Sequence, residues 1–200
     1  TDCTSNVNID INAEGVSMSG SDYGGLFAGG IAGHTKNVTV ADCTNNGDVY
    51  MKMINNLNTV ENNVDSIMGA RAGVGGIAGR LTGGSLSDCE NSGSISAEGG
   101  FSMGAGGIAG VAEVSISNCE NSGDVTYDQH AVDMYDGFDS PILTFGACAG
   151  GIAGKTISNI SECSNTGAVT ILCLHMTSGG QSYDSRYRGS LNAGGLVGVA

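Results

Sequence analysis

The chain has 200 residues, of which 14% are charged and 40% hydrophobic, with 35 glycines, one proline and no tryptophan. A formal net charge of −13, with only seven lysines and arginines, sets it against nucleic acids and anionic lipid surfaces, so no nucleic-acid partner is expected. Glycine without a three-residue period and almost without proline is not collagen, and no apolar run reaches the ~18 residues that cross a bilayer, so no membrane insertion is expected within this chain.

In chain order, the first element is a turn, Cys3-Thr-Ser5-Asn-Val7. After an intervening stretch comes Gly-Gly-Ile-Ala-Gly at Gly29 to Gly33, preceded by Ala28. A short alternating strand, Val38-Thr39-Val40, leads to the turn Cys43-Thr-Asn45-Asn-Gly47 and a third strand, Asp48-Val49-Tyr50. This unit then recurs. The glycine block returns at Gly75 to Gly79, Gly106 to Gly110 and Gly150 to Gly154, and as Gly-Gly-Leu-Val-Gly at Gly194 to Gly198. The turn returns at Cys89 to Gly93, Cys119 to Gly123 and Cys163 to Gly167. The first turn departs from the pattern, because Ser5 and Val7 stand where the others have asparagine and glycine.

Gly30 to Cys43 and Gly76 to Cys89 each span 13 residues, and Gly107 to Cys119 and Gly151 to Cys163 each span 12. The full repeat is far less regular: 46, 31, 44 and 44 residues between successive second glycines. A constant half and a variable half are what a solenoid requires, since coil strands must keep register while loops on one side can grow. Two-residue alternation with β-branched residues argues strands rather than helices. The expected fold is all-β: a right-handed parallel β-helix of about 4–5 coils, with three short strands per coil and long insertions on one side. Residues 1–200 read as a single β-solenoid domain. Thr1 opens inside one repeat and Ala200 closes inside another, so a piece of a longer repeat array is expected.

Each part of the turn has a physical reading. Cysteine points inward as a small hydrophobe. Asparagine, two residues on, shares that side and bonds the corner backbone or the next coil's asparagine. Glycine is expected to supply a positive φ that redirects the chain. The glycine block, with its isoleucine inward, leaves a flat face of small residues. That face is expected to be covered by the insertions or by another part of the parent protein.

The alternation of a Gly-Gly-hydrophobic-small-Gly block with a Cys-x-Asn-x-Gly-x-Val block resembles the GLUG-motif repeats of bacterial secreted and cell-surface proteins. Through its strand halves, the likeness runs from Asp2 to Gly198. It implies an exported, non-catalytic, adhesin-like repeat region, extracellular or on the bacterial cell surface. It transfers no catalytic residues, and the insertions lie outside it.

Residue chemistry sets further expectations. Five of the seven cysteines hold the turn position (Cys3, Cys43, Cys89, Cys119, Cys163). Stacked at ~4.8 Å they form a buried thiol ladder or, alternatively, disulfides that involve Cys148 or Cys173. The residues just before them, Asp2, Asp42, Asp88, Asn118 and Glu162, face out as a carboxylate column. This is a solvated ridge, a cation site, or an acid pair acting on a sugar. The methionines and most aromatics fall in the insertions, either as a satellite core or as a recognition surface. The candidate ligand-binding residues are Tyr127, Tyr135, Tyr183, Arg186, Tyr187 and Arg188. The acidic stretch Asp133-Met-Tyr-Asp136-Gly-Phe-Asp139 is the candidate metal site, with calcium as the ion and no other cofactor expected. The expected function is a structural and binding module that presents its insertions for adhesion to a glycan or protein ligand. The alternative is a carbohydrate-active β-helix enzyme, a polysaccharide lyase or hydrolase using the stacked carboxylates.

Overall fold

Rows of identical residues stack because each unit pairs with the next in parallel register. The computed structural model describes residues 1–16, 25–55, 72–99, 103–129, 146–173 and 190–200. A leading half-coil holds β1 (Thr4–Ser5) and β2 (Ile9–Val16). The first full coil holds β3 (Leu26–Gly29), β4 (Ala32–Ala41), β5 (Thr44–Asn45) and β6 (Val49–Asn55). The second holds β7 (Ala72–Gly75), β8 (Ala78–Ser87), β9 (Glu90–Asn91) and β10 (Ile95–Gly99). The third holds β11 (Met103–Gly106), β12 (Ala109–Ala112), β13 (Ile116–Ser117), β14 (Glu120–Asn121) and β15 (Val125–Gln129). The fourth holds β16 (Gly146–Gly150), β17 (Ala153–Thr156), β18 (Ile160–Ser161), β19 (Ser164–Asn165) and β20 (Val169–Cys173). A closing half-coil holds β21 (Ser190–Gly194) and β22 (Val197–Val199).

These strands build four parallel sheets along the stack, a β-solenoid. The glycine sheet joins β3, β7, β11, β16 and β21, and the long sheet joins β4, β8, β12, β13, β17, β18 and β22. The turn sheet joins β1, β5, β9, β14 and β19, and the third-strand sheet joins β2, β6, β10, β15 and β20. The sequence pattern suggested three strands per coil; the structure has at least four. The difference lies in the Gly-Gly-Ile-Ala-Gly block, which is not one strand. The chain kinks at Gly30-Ile31 and its equivalents, so the block ends a glycine-sheet strand and begins a long-sheet strand.

That kink divides the interior in two. Val49, Met51, Met53, Ile95, Ala97, Val125 and Tyr127 of the third-strand sheet pack against Ala28, Ala72, Val74, Met103, Ala105, Ala147 and Ala149 of the glycine sheet. A second core lies between the long sheet and the turns, formed by Leu81, Leu86, Ile116 and their neighbours with Ile77, Ile108, Ile152 and the turn cysteines. The isoleucines form a vertical row: Ile77 N–H donates to Ile108 O at 3.0 Å and Ile108 N–H to Ile152 O at 3.0 Å. All three side chains are fully buried, each contributing about 1.5–3 kcal/mol.

Between the two cores the glycine and long sheets lie back to back. A Cβ on Gly79 would sit 2.6 Å from Ala28 N and 2.8 Å from Ala28 O, and one on Gly154 would sit 2.7 Å from the Gly104 carbonyl carbon. The flat small-residue face is therefore covered by the chain's own neighbouring strands, not by insertions or another part of a parent protein. The motif needs glycine because two backbones meet there.

The turn is also built differently from expectation. Gly47, Gly93, Gly123 and Gly167 are not among the residues with positive φ. They are glycines because the coil before them lies too close: a Cβ on Gly123 would sit 2.6 Å from the Gly93 carbonyl carbon. The left-handed residue is the one before the cysteine, with φ of 61° at Asp2, 55° at Asp42, 54° at Asp88, 50° at Asn118 and 53° at Glu162. Asp and Asn tolerate this region because their short polar side chains bond locally; glutamate does not share that advantage.

The methionines show a further difference. Met51, Met53 and Met103 are fully buried within the coils themselves and form no satellite core. Met18, Met68, Met134 and Met176 lie outside the described residues.

Candidate functional site

The turn sheet buries one side chain per coil and turns its neighbours to solvent. The inward residue is the asparagine. Asn45 Nδ2 donates to Asn91 Oδ1 at 2.8 Å, Asn91 to Asn121 at 2.7 Å, and Asn121 to Asn165 at 2.7 Å. Each Nδ2 also donates to the carbonyl of its own turn glycine, at 2.7–2.9 Å across the four coils. One amide thus closes its corner and clamps the next coil, which is the outcome a buried polar side chain demands. The row ends at Ser5, which stands where the other coils have the inward asparagine, and among the described residues Asn45 Oδ1 has no partner there.

The cysteines run beside this row. Cys43, Cys89 and Cys119 are buried, Cys163 is partly buried and Cys3 exposed, and all five are free thiols, as is Cys148 in the glycine sheet. Cys43, Cys89, Cys119 and Cys163 each donate to the carbonyl two residues earlier, at 3.0–3.2 Å. Burial pushes the Cys43 thiol up. The Cys89 and Cys119 thiols interact across adjacent coils, which draws Cys89 down to about 7 and, together with burial, pushes Cys119 up. Cys89 is fully buried, so this acidity meets no external electrophile. The side chain of Cys173 lies outside the described residues.

Outward from the same strands stand two polar rows. Thr44, Glu90, Glu120 and Ser164 are in register, as are Asn46, Ser92, Ser122 and Thr166 two residues along the chain. They line a shallow groove of about 120 Å³ that crosses four coils. Ser92 Oγ donates to Asn46 Oδ1 at 2.9 Å and Asn46 Nδ2 to Asn6 Oδ1 at 2.8 Å. The arrangement offers hydroxyls, amides and the paired carboxylates Glu90 and Glu120, with no aromatic side chain. It is a hydrogen-bonding surface, not an apolar pocket.

The expected carboxylate column is present on the adjoining corner, with Asp2, Asp42, Asp88, Asn118 and Glu162 all at or near the surface. Asn118 Nδ2 donates to Asp88 Oδ1, and this bond, with a second from Ser87, holds the Asp88 carboxyl below its ordinary range. A general acid on a sugar needs the opposite shift.

The predicted ligand-binding residues fare unevenly. Tyr127, expected on an outward recognition surface, is fully buried in the core between the third-strand and glycine sheets, because it holds the inward register of Ala97 and Ile171 on β15. Its phenol is pushed up by burial. Tyr135, Tyr183, Arg186, Tyr187 and Arg188 lie outside the described residues, as do Asp133, Asp136 and Asp139. Two acids that precede that stretch belong to the coil. Asp124 Oδ1 accepts the Ala168 N–H at 2.9 Å, and Asp128 sits on β15. Among the described residues no group of three or more His, Cys, Asp or Glu side chains converges as a metal site.

The sequence reading missed the outer face of the third-strand sheet. Tyr50 Oη donates to Glu98 Oε2 at 2.6 Å, and Lys52 Nζ lies 2.9 Å from Glu98 Oε1. Burial, then the Glu98 bond, pushes the Tyr50 phenol up to about 12. Strand alternation with Val49 and Met51 inward was the available signal for an outward Tyr50.

Residues 70–96, which span the glycine block, the long strand and the turn of the second coil, match the family model of the GLUG motif. No curated protein and no solved structure matches the chain.

Proposed function

From a chain that carries the GLUG motif in its second coil, we propose a non-catalytic structural and binding module of an exported bacterial surface protein. Its variable segments are presented for adhesion to a glycan or protein ligand. One observation carries this reading. In every coil, the segment of variable length joins a third-strand-sheet strand to a glycine-sheet strand, while the rest of the coil pairs residue by residue with its neighbours. Diversity is thus confined to one side of a rigid stack, the arrangement by which scaffolds carry recognition loops.

The test replaces residues 56–71, 130–145 and 174–189, singly and together, with the three-residue connection at 100–102 that closes the second coil. Parent and variants are screened on glycan and protein arrays after their unfolding transitions are compared. Binding by the parent that disappears while the fold persists supports the proposal. Binding that survives the triple replacement, or its absence from the folded parent, removes it. The catalytic alternative has one observation in its favour, the in-register Glu90–Glu120 pair in the polar groove. Polysaccharide cleavage abolished by Glu90→Gln in a folded protein would establish that reading instead.

A further inference from the structure

In a chain of net charge −13, the described cations are few and most are engaged. Lys52 pairs with Glu98, Arg80 Nη2 donates to Glu113 Oε1 at 2.6 Å, and Lys155 is buried. Lys36 is exposed and forms no ion pair among the described residues. It does not stand alone. His34 precedes it by two on β4, and the parallel register sets His34 beside Arg80 and Lys36 beside Thr82 of β8. All four share one face of the long sheet. At its edge stands the half-buried Phe27 ring, 5.5 Å from the His34 ring and 5.4 Å from the Arg80 guanidinium carbon.

The hydrogen bonds fix the histidine's tautomer. Thr82 Oγ1 donates its one proton to Thr35 O at 3.1 Å. It therefore accepts at its 3.1 Å contact with His34, so Nε2 carries the ring proton. Among the described residues His34 Nδ1 is left as a bare lone pair with no partner. Nearby, Arg80 Nε is buried with no acceptor. The His34 pKa is lowered, first by burial and then by Arg80; Glu113 opposes this and Lys36 adds to it. Among the described residues the cluster thus has an unpaired ammonium, a donor without an acceptor, and a histidine whose pKa is lowered by burial and the adjacent cations. It is short of one negative charge.

We propose that His34, Lys36 and Arg80 form a binding site for an anionic group carried on a sugar, a carboxylate or a sulfate. This deepens the reading of the protein as a glycan-binding module and rests on it. The anion takes the Lys36 ammonium and, on protonation of His34, a new N–H at Nδ1, while the Phe27 ring supports the sugar. Because the remainder of the surface repels anions, binding of an acidic sugar is confined to this cluster. Binding and protonation of His34 are mutually reinforcing, since an effect of one ligand on another is reciprocal.

The test follows the histidine resonances of labelled protein, with His34 assigned by His34→Gln, during addition of glucuronate, glucose 6-sulfate or glucose. Either acidic sugar should shift the His34 ring and raise its pKa. Binding should tighten as pH falls through the His34 titration, by at most about ten-fold per pH unit for one linked proton. Lys36→Ala, at an exposed position, should leave the unfolding transition in place and weaken binding, and added salt should do the same. A response to one acidic sugar alone identifies the anion as carboxylate or sulfate. A response to glucose equal to that of the acidic sugars, or none to either, overturns the site. This readout is independent of the variable segments. Failure here, with array binding intact, sinks the anion site alone; failure on the arrays with His34 responding sinks the presentation of loops.

Discussion

Replacing Asn91 by alanine tests whether the amide row holds the stack together. Asn91 is 2% exposed, donates to Gly93 O and Asn121 Oδ1, and accepts from Asn45 Nδ2. Its removal leaves one buried N–H and two buried oxygens each short of a bond, and each such loss costs about 1–3 kcal/mol. Water entering the vacated space recovers part, so a net cost of about 4 kcal/mol is expected. At the end of the row, Asn165 and its partner Gly167 are only partly buried, so water can replace bonds lost there and Asn165→Ala should cost about 1 kcal/mol. Ser92→Ala, on the outward face of the same strand end, serves as the near-neutral control. Urea unfolding with the slope held constant reads the differences, and a chain of this size should lose about 10 °C of Tm for Asn91→Ala. An Asn91→Ala cost no larger than that of Asn165→Ala would refute the claim that the row is a cooperative clamp.

Three further outcomes follow from the same geometry. Gly123→Ala drives a Cβ into the Gly93 carbonyl and should cost several kcal/mol or prevent folding, whereas Gly195→Ala, with nothing within 4 Å, should be close to neutral; denaturation midpoints compare them. Glu162→Asn, at a φ of 53°, should stabilise by about 0.5–1 kcal/mol by the same measurement, since asparagine accepts the left-handed region more readily. Tyr50, with its folded pKa raised to about 12, should contribute stability that is intact below its unfolded pKa near 10 and lost as pH rises through the folded value. Tyr50→Phe should abolish that alkaline loss, read as unfolding free energy against pH.

The stacked rows were legible in the chain because repetition is itself a register signal. Ile77, Ile108 and Ile152, the turn cysteines and the asparagines each hold a nearly fixed place within the repeated half of the unit, and each occupies one vertical line. What the pattern hid is backbone conformation inside a conserved string. Gly-Gly-Ile-Ala-Gly has the alternation of one strand, and only the mutual approach of Gly79 and Ala28 reveals two. Likewise Asp88 and Asn118 read as outward polar residues of one column, although their deeper role is conformational, at φ of 54° and 50°. Tyr127 read as a loop residue because the chain after Val125 offers no turn residue to mark where the strand stops, and β15 runs on through it. The cluster at His34 eluded the sequence because its members come from β3, β4 and β8, far apart in the chain and joined only by register.

The same geometry explains why variation can accumulate on one side. From the glycine sheet through the long and turn sheets to the third-strand sheet, nearly every backbone position pairs with a neighbouring coil, so a length change there would displace the isoleucine, thiol and amide rows together. Between the third-strand and glycine sheets no such row is interrupted. The second coil closes over 3 residues, 100–102, and the first over 16, 56–71. The closure entropy separating 3 residues from 16 is about 1.5 kcal/mol, less than the expected cost of one lost asparagine in the row. Shortening the long segments should therefore leave the stack intact and slightly stabilise it. That is the condition under which their loss can be read in binding alone. If shortening 56–71 to three residues unfolded the first coil, the segment would be part of the fold and not its cargo.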